Sequence, residues 1–199
     1  MITDYVLAFF LLVLSGRLFK LNESDRQTSI QFWNFAFIAT ALAAILGGTA
    51  HGFALYLSAF AQAFIWKGTV YAIGFASFFM LAGTIMASVD NPVRKRLLAL
   101  ATLQILIYSI WMLTHNDFKY VIFDYVPAMI VVIALQVFAY TRRKEGSAKW
   151  IIGGVLVSFF AGSNSTEWLY YSPTFQLQRS VPRDSNGGNV SALSRGLFA

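Results

Sequence analysis

Of the 199 residues, 57% are hydrophobic, 17% aromatic and only 12% charged, with a mean hydropathy of +0.60; a soluble chain carries about 25% charge, so a water-solvated globular domain is excluded and lipid becomes the solvent around most of the fold. The net charge of +6 and pI near 9.7 do not indicate nucleic acid, because the basic residues lie in short clusters between apolar runs, the arrangement that sets membrane topology. The absence of cysteine removes disulfides, zinc thiolates and thiol nucleophiles.

A helix needs about 20 mostly apolar residues to cross a bilayer core of roughly 30 Å. The chain offers such runs at 4–19, 32–57, 69–89, 97–113, 118–140 and 150–171. The first has no basic segment before it and no small-residue cleavage site, so it reads as a retained span rather than a signal peptide. Basic residues then alternate. Arg17, Lys20 and Arg26 follow the first span, Arg94, Lys95 and Arg96 the third, and Arg142, Arg143, Lys144 and Lys149 the fifth, whereas the opposite loops hold only Lys67 and Lys119. The positive-inside rule therefore places the N-terminus outside. The tryptophans Trp33, Trp66, Trp111, Trp150 and Trp168 fall at the expected span ends, where an indole prefers the headgroup layer. From 172 to 199 the chain turns polar and rich in Ser, Asn, Gly and Arg, which predicts a disordered tail. The fold class expected is all-α: a polytopic transmembrane helix bundle of six spans over 1–171, followed by the tail.

Within the second span, GGTAHGF at 47–53 places a histidine among small residues. His51 stands 18 residues after Trp33, about 27 Å along a helix, and so near the outer face. The same ruler puts Asp4 16 residues before Lys20 and Asp124 16 before Tyr140, both about 24 Å, and Glu167 17 after Trp150, about 25 Å. One outer polar layer is expected, with Tyr5 beside Asp4, and with His115 and Asp117 just above in the loop HNDF. Asp4 and Asp117 also suit a plainer role as helix caps or interfacial anchors. If the fifth helix starts near Asn116 or Asp117, Asp124 lies about two turns in, and Pro127 leaves the carbonyl of Phe123 without its helical donor. Ala44, Gly48 and Gly52 form a small-residue ridge, and Ala43 and Gly47 precede His51 on another; such ridges let helices approach closely. His51 is accordingly predicted to face protein, bonded to Asp124, Asp4 or Tyr5, either as a structural hydrogen bond or as the centre of a functional pocket.

The segments TDY at 3–5, GGTAHGF at 47–53 and HNDF…VIFDYVPA at 115–128 resemble a family of uncharacterised multi-pass membrane proteins, over roughly residues 1–160. That family is distantly similar to the alkaline ceramidase and progestin-adipoQ receptor superfamily of seven-span hydrolases. The resemblance implies a seven-span bundle lacking its last helix and a membrane-embedded, metal-dependent hydrolase of ceramide-type amides. His51 matches the second-span histidine of that superfamily, but Gly47 stands where its serine would be, the third span holds no acid, and no histidine follows His115. A zinc hydrolase needs three protein ligands and an open position. Here His51, with His115 and one of Asp4, Asp117 or Asp124, would have to supply them, and no metal site is assigned. Nothing carries a nucleophile: there is no Ser-His-Asp elbow and no phosphate loop. The favoured reading is an integral multi-pass protein of the endomembrane or plasma membrane, with membrane lipids and not nucleic acid as partners. The inactive hydrolase is the alternative.

Overall fold

A computed structural model describes residues 2–143 and 151–154. Five helices follow one another: α1 (Ile2–Asp25), α2 (Thr28–Gly52), α3 (Ala59–Ser88), α4 (Val93–Thr114) and α5 (Phe118–Arg143). Each is long and apolar enough to cross a membrane. The protein is an all-α integral membrane protein. Residues 151–154 are helical, but the rest of the span expected at 150–171 and the tail expected at 172–199 lie outside the described residues.

The α1–α2 connection is two residues long, and Arg26 turns it with a φ of 43°. Its backbone N–H donates to the Asn22 carbonyl at 2.9 Å, the single bond of a left-handed helix terminus that glycine usually fills. At the other end of α2 the helix stops at Gly52, five residues before the apolar run ends. The α3 helix begins ten residues earlier than its run, because the Ser58 hydroxyl caps it by accepting from the Ala61 N–H at 3.2 Å. Lys67 therefore belongs to α3 and not to a loop, a correction to the reading from charge alone. The α5 helix starts at Phe118 with Pro127 in its interior.

Each helix runs antiparallel to the one before it. Tyr5 meets Thr49 and Ser15 meets Asn34 between α1 and α2; a Cβ on Gly47 would rest 3.5 Å from Thr69, and one on Gly83 would come within 2.9 Å of Trp33, between α2 and α3. Among the described helices, α3 is the most buried and packs against α2, α4 and α5, whereas α1 packs against α2 alone. Small side chains make this possible. Ala36, Ala41, Ala43 and Gly48 on α2 and Ala72, Gly74, Ala76, Ala82 and Gly83 on α3 are all buried, so van der Waals contact between backbones replaces the hydrophobic drive that lipid cannot supply. Although consecutive, α4 and α5 touch only sparingly, and both lean on α3.

Candidate functional site: a polar rim and a buried acidic node

Polar side chains collect in two places. The first is the end of the bundle that carries His51. Asp4 lies over Gly48, where a Cβ would stand 3.0 Å from the Asp4 Cβ and 3.2 Å from its Oδ2, so the second-span glycine makes room for the carboxylate of α1. One residue on, the Tyr5 hydroxyl bonds the Thr49 hydroxyl at 2.8 Å. His51 was expected to face the interior; its side chain is instead exposed and meets the Trp66 ring edge-on, at 6.1 Å between centroids. Gly47 faces α3, and Ala44 and Gly52 are half-buried.

Trp66 and Lys67, neighbours on α3, join this rim to the next pair of helices. Trp66 donates its indole N–H to the Asn116 carbonyl at 3.0 Å. Lys67 places its ammonium among the last carbonyls of α4: those of Met112, of Leu113 at 3.3 Å and of His115 at 3.0 Å. Four carbonyls at a helix C-terminus have no intrahelical donor, and a cation there also meets the negative end of the helix dipole. His115 stacks flat on Trp111 at 4.3 Å, with Tyr120 edge-on to it at 5.1 Å. Its Nδ1 lies 3.0 Å from both the Thr114 hydroxyl and the Trp111 carbonyl. Asp117, in the exposed connection before α5, pairs with Lys119 in the first turn of that helix at 2.8 Å, so Lys119, like Lys67, is helical and not in a loop.

The second place is the interior between α3, α4 and α5. Asp124 is 8% exposed. Gln104 donates its side-chain N–H to Asp124 Oδ1 at 3.0 Å, and the Ser77 hydroxyl lies 2.9 Å from Oδ2 and 3.0 Å from the Gly74 carbonyl. Trp66, which His51 touches, and Ser77, which Asp124 touches, are eleven residues apart on α3, about 16 Å along its axis. Asp124 thus sits deep in the bundle and not in the His51 layer, which corrects the depth obtained by counting back from Tyr140. Gln104 stands at the midpoint of α4, agreeing with that depth. Beside the node, Tyr108 lies so close over Gly74 that a Cβ there would fall 2.3 Å from its ring. That close approach brings the Tyr108 hydroxyl to the Val70 carbonyl at 2.7 Å.

Because α4 and α5 splay, a groove of about 430 Å³ opens between them toward the outside of the bundle. Its walls are apolar, from Leu103, Ile107 and Phe123, and Gln104, Tyr108 and Asp124 form its floor. Trp111 and Tyr120 also line it, on the side of the His51 rim. Of the residues expected in one pocket, then, Asp4, Tyr5 and His51 share the rim of α1 and α2, His115 and Asp117 the turn between α4 and α5, and Asp124 the interior. Glu167 lies outside the described residues. Among the described residues no three His, Asp or Glu side chains come together as a metal-binding set. Sequence reasoning missed Ser77, Gln104, Tyr108 and Lys67. The available signal was the amide of Gln104 and the hydroxyl of Ser77 within apolar spans, where polar groups need protein partners.

A model of a family of unknown function (DUF6962) matches residues 1–175. The chain belongs to that family. The match spans all five described helices and both polar groups, but its description assigns no activity. No curated protein and no solved structure matches the chain.

Proposed function

We propose that this membrane protein is a non-catalytic binder of a lipophilic molecule, which enters sideways from the bilayer into the groove between α4 and α5. The observation that carries the reading is Asp124, a carboxylate held in the bundle interior by Ser77 and Gln104 on the floor of a groove whose walls are apolar. An ionisable side chain within a span is costly for a membrane protein, and marks a site of use. The groove is open along one side, so an occupant would stay in contact with the bilayer. Among the described residues, no geometry favours the metal-dependent hydrolase that the family resemblance implies. His51 and His115 rest against different aromatic rings, and Gly47 offers no nucleophile at the position of the superfamily's serine.

The reading is tested by photolabelling the full chain in vesicles that contain a diazirine-bearing fatty acyl lipid. Labels should concentrate on Ile107 and Phe123, and Ile107→Trp, which fills the groove, should remove them. Equal labelling of Phe9 and Phe10, exposed on α1 far from the groove, would mean that ordinary lipid contact explains the signal.

A further inference from the structure

Asp124 has two hydrogen-bonding partners, the Ser77 hydroxyl and the Gln104 amide, and both are uncharged. A carboxylate accepts about four hydrogen bonds, so among the described residues half of its capacity and all of its charge are unmatched. Lys67 cannot reach it. Its ammonium is bound to the carbonyls at the end of α4, and it lies ten residues before Ser77 on α3, about 15 Å along the axis. The Tyr108 hydroxyl is committed to the Val70 carbonyl. In a medium of low dielectric an unpaired charge is strongly disfavoured, so the carboxylate requires a proton or a cation. Asp124 also lines the groove, so that counter-charge has a route of entry from the lipid side. Lys119 already stands over the Tyr120 ring and His115 covers a face of Trp111, but the groove is also lined by the rings of Tyr108 and Phe123, a kind of surface that attracts ammonium groups, and its aliphatic walls suit a hydrocarbon tail.

We propose that the groove binds a lipophilic amine, with the ammonium on Asp124 and the apolar tail lying between α4 and α5. This rests on the lateral-binding reading above and names the chemistry of its ligand. An alkyl ammonium keeps its proton at pH 7, since its pKa is near that of lysine, about 10.4. It brings up to three donors to a carboxylate that has room for about two more. A neutral alcohol of the same length would gain the tail contacts and one hydrogen bond, without the charge.

The test is native mass spectrometry of the full chain in detergent at pH 7, titrated with dodecylamine and, separately, with dodecanol. One dodecylamine should be retained at a concentration about tenfold lower than dodecanol. Asp124→Asn, which keeps a carbonyl acceptor at the node, should remove that preference, so that amine and alcohol are retained alike. Ile107→Trp leaves Asp124 intact and should abolish retention of both. Equal retention of amine and alcohol by the wild type, or a preference that survives in Asp124→Asn, overturns the amine inference while the groove reading stands. Retention of neither probe by the wild type, or of both by Ile107→Trp, overturns the groove reading as well. Thermal unfolding of each variant in the same detergent separates loss of binding from loss of fold.

Discussion

The rim around His51 and the node around Asp124 are built from similar side chains, yet they answer to different solvents. At the rim, polar groups sit at helix ends. Asp4 and Tyr5 open α1, His51 closes α2, and the Asp117–Lys119 pair is exposed at the start of α5, so solvent can replace a contact that is lost there. At the node, Ser77, Gln104 and Asp124 are supplied by one another. The worth of a polar contact here is set by what would replace it. A rim contact exchanges for solvent, and a node contact for nothing.

Substitutions measured by unfolding in one detergent sharpen this comparison. The largest effect is expected at Gly74, where any side chain collides with the Tyr108 ring. Gly74→Leu should cost about 3 kcal/mol, the upper range for overpacking, because α4 must withdraw from α3 and break the Tyr108–Val70 bond. A loss below about 1 kcal/mol would show that α4 is held mainly elsewhere. Asp124→Ala should follow at about 2 kcal/mol, since it removes the hydrogen bond from the Gln104 amide to a charged acceptor, a bond of a kind worth about 1.5–3 kcal/mol; Gln104 keeps the backbone carbonyl of residue 124 at 3.3 Å, and Ser77 keeps the Gly74 carbonyl. If instead Asp124→Ala proves stabilising, the node is a burden carried for binding.

Lys67→Met should cost about 1 kcal/mol, through the uncapped carbonyls of α4 and the lost dipole interaction. It should also raise amide exchange at residues 112–115 before any effect reaches the other helices. Smallest of the four, His51→Ala removes an edge contact with Trp66 that is worth about 0.5 kcal/mol, from a side chain that is already exposed. If its effect matched that of Asp124→Ala, rim and node would not differ as argued.

The helices were legible in the sequence because membrane spans are written in bulk composition, and the five described helices match the apolar runs apart from their ends. Lys67 was misread because a lysine beside an apolar run resembles a loop; its long stem lets the ammonium reach carbonyls while its backbone remains helical. The small-residue ridge of α2 was visible in its repeat, and Gly48 does meet α1 closely. Gly74, one glycine without a repeat, was not visible, since its role depends on a tyrosine 34 positions away. The placement of Asp124 failed for a geometric reason. Counting 1.5 Å per residue from Tyr140 assumes that α5 stands upright between two flat interfaces, whereas depth is fixed by which side chains of α3 and α4 the carboxylate meets. Ser77 and Gln104 were hidden because single polar residues in apolar segments have no periodicity to read.

The position of α3 at the centre of the bundle has a consequence for the order in which the chain is made. Synthesis runs from the N-terminus, so Ser77 and Gln104 leave the ribosome before Asp124 does. The carboxylate is the last member of the node to arrive, on a span whose apolar content is the highest of the five. An aspartate inside a span opposes insertion; here the surrounding hydrocarbon of α5 works against that cost, and the hydroxyl and amide are already in the bilayer to receive the charge. A chain rearranged so that α5 is made before α3 would present the same acid to the membrane with neither partner in place.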